Sequence, residues 1–170
     1  MHEAALAYLA RYAATETGLR RVLVRRIDRW TRAAAERDDA RECAAAAKRL
    51  VPAIVARMVA LGAVDDAAYA QTKARALALS GRSRLGIAAR LAAKGVGAAQ
   101  VRAALPADEL VAALILARKR RIGPYSRDPD GDMNKQLAVL ARAGFPREVA
   151  ARALRMDAET AEAAIDAARA

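Results

Sequence analysis

Leu91-Ala92-Ala93-Lys94-Gly95-Val96 is answered 49 positions later by Leu140-Ala141-Arg142-Ala143-Gly144-Phe145. Each phrase reads as the end of a helix, a glycine that stops it and one large apolar residue. A second short helix follows each, ending at Leu105 and Leu154. A recurrence of this period marks a helical repeat protein. Such units cannot bury their apolar faces alone, so they stack, and the stack offers a long surface rather than one deep pocket.

N-terminal to the repeat, Leu6 to about Ala14 reads as a first helix with Tyr8, Leu9 and Tyr12 as its bulky members. Thr15 is placed to cap the next helix, where Leu19, Val22, Leu23, Ile27 and Trp30 recur at helical spacing. Arg20, Arg21, Arg25, Arg29 and Arg32 fall mostly on its other faces. Residues 31–47 are alanine-rich and lack Leu, Ile and Val, which predicts an exposed helical extension or a loosely packed connection. Pro52 predicts a new helix starting near Arg49 or Leu50, because a first turn tolerates proline. Asp65 is a helix cap, and Asp66 suits the positive N-terminal end. Ser80-Gly81-Arg82-Ser83 is a turn, and Pro106 and Gly123-Pro124 break the chain. The expected division is 1–64 as repeat 1 with an alanine-rich insertion, 65–107 as repeat 2 and 108–156 as repeat 3. Residues 157–170 are an acidic, alanine-rich tail without Leu, Val or an aromatic to hold it down.

The 170 residues are 55% hydrophobic, about half of that alanine, and only 4% aromatic. Alanine favours helices and lets them approach closely. The fold class is therefore all-α: three tandem three-helix repeats in an elongated, curved arrangement. Thirty Lys and Arg against 19 Asp and Glu leave a net charge of +11, mostly as arginine, whose planar fork suits phosphate. That balance points to a polyanionic partner, nucleic acid or nucleoprotein. A solvated arginine-rich surface is the bland alternative. Cys43 and His2 are the sole cysteine and histidine, so neither an internal disulfide nor a Cys/His metal site can be built. No apolar run has the length of a membrane span, and no secretory or twin-arginine signal is read at the start. A cytoplasmic protein is expected.

Gly62-Ala63-Val64-Asp65-Asp66-Ala67-Ala68-Tyr69-Ala70 resembles the glycine, two apolar residues, paired Asp and spaced aromatic of the RecX regulatory proteins. Gly86-Ile87-Ala88-Ala89-Arg90-Leu91-Ala92-Ala93-Lys94-Gly95-Val96 is similar to that family's next stretch. Glu109, Ala112, Ala113 and the basic run 118–121 are similar to the helix that opens its third repeat. Ala143-Gly144-Phe145 resembles its late corner, and Thr15-Glu16-Thr17-Gly18-Leu19-Arg20 a weakened form of its opening. The resemblance spans residues 4–155. Gly18 replaces the usual Glu, and the alanine-rich segment and acidic tail are departures.

The resemblance implies a non-catalytic regulator that binds the RecA filament on single-stranded DNA and inhibits its extension, ATPase and strand exchange. It implies no cofactor, no membrane, a monomer, and single-stranded DNA as a weaker partner on its own. The alternative is a basic helical nucleic-acid-binding protein acting independently of RecA, although no helix offers a clear set for reading base edges. A scaffold for an acidic protein is a third class. An enzyme is least supported, for want of a nucleophile–base set or metal ligands.

The candidate contact residues are Arg82, Arg84, Arg90 and Lys94 around the second repeat's middle helix, and Arg118, Lys119, Arg120 and Arg121 at the end of the next repeat's first helix. A helix C-terminus also favours cations, so at least one of the last four serves the dipole alone. Trp30 and Tyr69 read as packing residues. Asp128-Pro129-Asp130-Gly131-Asp132 has the look of a calcium loop, but its glycine is misplaced and no Glu closes it. Gly81 to Gly86 has phosphate-loop spacing, yet Ile87 stands where the lysine belongs.

Overall fold

The computed structural model describes residues 1–128 and 131–169, and among them all regular structure is helical. In chain order the helices are α1 (His2–Leu9), α2 (Glu16–Ala33), α3 (Ala40–Ala60), α4 (Asp66–Ala78) and α5 (Arg84–Ala93). Then come α6 (Ala98–Ala104), α7 (Leu110–Arg120), a 3-10 turn at Gly123–Tyr125, α8 (Met133–Arg142), α9 (Arg147–Arg155) and α10 (Ala158–Ala167). The chain forms two compact units. One is Met1–Tyr69 with Ala93–Gln100, the other Ala70–Ala92 with Val101–Ala170.

The core of the first unit joins α1, α2 and α3. Leu19, Leu23 and Ile27 of α2 meet Ala44, Val51, Val55 and Met58 of α3, with Ala5 of α1 beside them. Val22 and Trp30, on the same spacing, are half-buried and exposed, so Trp30 is not the packing residue its periodicity suggested. The first helix ends at Leu9, earlier than expected, and Tyr12 lies beyond it. The expected helix start near Arg49 is also overturned. Helix α3 begins at Ala40 and carries Pro52 inside it. Pro52 is exposed, so the carbonyl one turn back that loses its partner faces water rather than the core. Packing of the long helix along α2 outweighs the local defect. The alanine-rich segment is not simply a loose connection, since Ala40 and Ala44 are buried where α3 approaches closely.

In the second unit, α7 is the central element. Leu110, Ala113, Leu114 and Ile115 pack against Leu140 of α8, Phe145, and Ala150, Ala153 and Leu154 of α9. Ala161 and Ile165 of α10, both fully buried, complete this core. The tail expected to have nothing holding it down is therefore a docked helix. Ile165 is the anchor, and Asp157 caps it by accepting from the Thr160 N–H at 2.8 Å. That backbone bond holds the Asp157 carboxyl below its ordinary range.

One hydrogen-bonded junction occurs twice, once inside each unit. In the first, the buried Thr15 hydroxyl caps α2 by accepting from Gly18 N–H at 2.9 Å and donates to the Lys94 carbonyl at 2.6 Å. The Glu16 N–H is held by Asp66 at 2.9 Å. In the second, the buried Ser83 hydroxyl accepts from Gly86 N–H at 3.2 Å and donates to the Ala143 carbonyl at 2.7 Å. The Arg84 N–H is held by Glu109 at 2.6 Å. Asp65 and Asp108, each one residue earlier, cap α4 and α7 through their own side chains. Both carbonyls precede a left-handed glycine, Gly95 (φ +84°) and Gly144 (φ +87°). Each glycine is followed by a buried apolar residue, Val96 and Phe145. The repeated phrase is thus one half of a clasp whose other half is a capping hydroxyl far away in sequence. At α10 the pattern stops: Asp157 repeats the cap, but Ala158 stands where Asp66 and Glu109 supply the holding carboxylate.

Candidate polyanion-binding groove

A groove of about 820 Å³ in the second unit is lined by Arg82, Lys119, Arg120 and Arg142 over an apolar floor of Leu116, Ile122 and Val139. Among the described residues no carboxylate lines it. The cations arrive at three helix ends. Arg82 follows α4, where its N–H donates back to the Leu77 carbonyl at 3.1 Å. Lys119 and Arg120 are in the last turn of α7, and Arg142 closes α8. Helix C-termini carry partial negative charge, which offsets part of the repulsion among four cations held together. Arg82, Arg120 and Arg142 are exposed and have no ion-pair partner among the described residues. A groove of one sign over low-dielectric walls concentrates its field on an incoming anion.

The eight candidates do not lie in one cluster. Arg82, Lys119 and Arg120 meet in the groove. Lys119 also donates from Nζ to the Ser80 carbonyl at 2.9 Å, covering the end of α4. Arg118 points the other way and pairs with Glu162 of α10 at 2.7 Å. It serves tertiary structure, beside a Tyr125 phenol that burial, and then Glu162, push up to about 12. Arg84 belongs to the second junction, and its guanidinium donates to the Ala107 carbonyl at 3.1 Å. Arg90 is exposed along α5 outside the groove, and Lys94 is exposed in the first unit.

Arg121 is the C-cap of α7 in the left-handed conformation (φ 55°, ψ 50°), the one non-glycine residue at positive φ among the described residues. Left-handed backbone costs a residue with a Cβ about 1–2 kcal/mol. Arg121→Gly is therefore expected to stabilise the fold by about 1 kcal/mol, read as a higher urea midpoint. A midpoint unchanged or lower would show that the arginine side chain compensates for its own strain.

Arg142 was missed from the sequence because it sits inside the repeated phrase. The signal was there as a difference between the copies: Ala93-Lys94 in one, Arg142-Ala143 in the other. Moving the cation by one residue turns it about 100° around the helix. Of the calcium-like stretch, Pro129 and Asp130 lie outside the described residues. Asp132 caps α8, accepting from Asn134 N–H at 2.9 Å. Among the described residues no three His, Cys, Asp or Glu side chains are grouped to hold a metal ion. No described helix is long and apolar enough to cross a membrane.

The family model "RecX, second three-helix domain" matches residues 65–105. "Regulatory protein RecX" of Myxococcus xanthus (strain DK1622) is 44% identical over 155 residues, covering 85% of this chain and 79% of its own. The protein of the same name from Agrobacterium fabrum (strain C58) is 44% identical over 103 residues, 59% of this chain and 56% of that one. The one from Thermobifida fusca (strain YX) is 28% identical over 152 residues, covering 86% and 82%. No solved structure matches at a significant level. With an all-helical fold, a repeated junction and relatives alike over most of both chains, the chain belongs to the RecX regulatory protein family.

Proposed function

We propose that the chain is a non-catalytic regulator that binds the RecA filament on single-stranded DNA and inhibits its extension, its ATPase and strand exchange. The observation that carries this is the groove of the second unit, with four cations, no carboxylate among the described residues and an apolar floor. A filament of protein on DNA offers phosphates, acidic side chains and apolar protein surface together, which suits such a groove. Arg82, Lys119, Arg120 and Arg142 make the contact. Arg90, Lys94 and Arg121 add exposed charge outside the groove. Arg84 and Arg118 hold the scaffold. The chain then consists of three tandem three-helix repeats, 1–64, 65–107 and 108–156, closed by α10. It works as a cytoplasmic monomer.

Substoichiometric protein is expected to depress the single-stranded-DNA-dependent ATPase of RecA, because one molecule seated on a filament blocks many subunits from extending it. Unchanged ATPase at saturating protein would remove this function. If bare-DNA affinity falls steeply with salt while RecA is untouched, the chain is instead a basic nucleic-acid-binding protein independent of RecA.

A further inference from the structure

The first unit carries a second basic groove, of about 450 Å³, between α1 and α2. Arg11, Arg25, Arg26 and Arg29 line it, with Tyr8 and Tyr12 on one side and no carboxylate among the described residues that line it. All four arginines are exposed, and none has an ion-pair partner among the described residues. Tyr8 is half-buried against the first unit's core. Tyr12 leans on it with ring centroids 5.2 Å apart and planes tilted by 38°, and remains 55% exposed. A solvated charged face does not need an aromatic ring presented this way. The ring is anchored from behind by a packed neighbour and open in front.

We infer that this groove binds a single strand of nucleic acid, with a base stacked on Tyr12 and the flanking phosphates on Arg11, Arg25, Arg26 and Arg29. Aromatic faces beside cations are the general means of holding a single strand without reading its sequence, since every base has a π-face and every nucleotide a phosphate. A duplex is a poorer fit, because its bases already stack on one another. An acidic protein surface would satisfy the arginines but leaves the Tyr12 face unused. The track also has a neighbour. Arg26 lines a second, apolar pocket with Ile27, Trp30 and Cys43, and Trp30 is 42% exposed. A strand crossing Arg26 reaches the chain's sole tryptophan. The inference stands on the first unit alone and holds whether or not the chain regulates RecA.

The test is binding of the full chain to labelled oligothymidylate across a salt series, with RecA ATPase inhibition measured in parallel. Tyr12→Ala is expected to weaken the oligonucleotide about tenfold, and Tyr12→Phe to restore it, because stacking needs the ring and not the hydroxyl. Arg25→Ala with Arg29→Ala is expected to flatten the log–log salt slope by about 1.4, at roughly 0.7 for each phosphate no longer neutralised. Oligonucleotide addition is expected to quench Trp30 fluorescence in the wild type. Unchanged affinity in Tyr12→Ala overturns the inference and leaves the proposed function standing. Failure of Tyr12→Phe to rescue overturns stacking. A variant that loses RecA inhibition with oligonucleotide affinity intact assigns the groove to a protein surface and also overturns it. Loss of oligonucleotide affinity in a protein that never inhibits RecA upholds the groove and removes the regulator.

Discussion

Gly95→Ala is expected to destabilise the protein by roughly 3 kcal/mol, among the largest effects of a single added methyl group in this chain. Two penalties coincide there. Gly95 has φ +84°, where a Cβ is strained by about 1–2 kcal/mol. A Cβ would also fall 2.3 Å from the Thr17 Cβ and 2.5 Å from its Oγ1. The Thr17 Cβ is fixed by its own backbone, so no rotamer change clears it and the junction must open. Opening it strains the adjacent bond from Thr15 to the Lys94 carbonyl. Gly62→Ala separates the two penalties. Its φ is +68°, and a Cβ there meets nothing within 4 Å, so only the backbone strain is felt. Urea unfolding of the two variants is expected to differ by about 2 kcal/mol. Equal midpoints would mean that Thr17 moves freely and the first junction is not tight. Gly144→Ala is expected to fall between them, because its nearest neighbour is the Ser83 Oγ at 2.8 Å, which can turn away at the cost of its bond to the Ala143 carbonyl, rather than a Cβ fixed by the backbone.

Reversing charge at three groove positions, Arg82→Glu, Arg120→Glu and Arg142→Glu together, is expected to cut affinity for the filament at least a hundredfold. Each phosphate left without its cation lowers the salt slope by about 0.7 on a single strand, so the slope should flatten by about 2. The new carboxylates add repulsion beyond that. Lys119 is left in place because it bonds the Ser80 carbonyl, and its removal would confuse binding with stability. The three chosen side chains have no such partner among the described residues, so helicity and the urea midpoint should stay near wild type. Inhibition and salt slope both surviving the triple reversal would mean the groove does not meet the filament. Arg118→Glu is the contrasting control. It places a carboxylate against Glu162 and is expected to loosen α10 while leaving the salt slope unchanged.

The four consecutive cations 118–121 show where the reach of the chain's local pattern ends. Successive helical residues diverge by about 100°, so four in a row must serve different faces. The faces were legible, but their surroundings were not. Arg118 meets Glu162, Lys119 meets Ser80, Arg120 enters the groove and Arg121 leaves the helix altogether. Pro52 and Ile165 make the same point. Propensity argued for a helix break at one and an unanchored tail at the other. Long-range packing along α2 and against α7 overrode both.

The helical class, the recurring helix–glycine–apolar–helix phrase, the caps at Thr15 and Asp65 and the excess of arginine were all legible along the chain. These are local: a hydroxyl one residue before a helix, or a glycine one residue after it, acts within a single turn. Packing between distant segments is what lets the Thr15 and Ser83 hydroxyls clasp carbonyls 79 and 60 residues away. The same packing brought Arg82, Arg120 and Arg142 from three helix ends to one groove, and set the local Tyr8–Tyr12 ring pair and Arg11 against the three arginines of α2. The spacing of a residue along its own helix states which way it faces. What stands opposite depends on how separate helices bury their apolar stripes together.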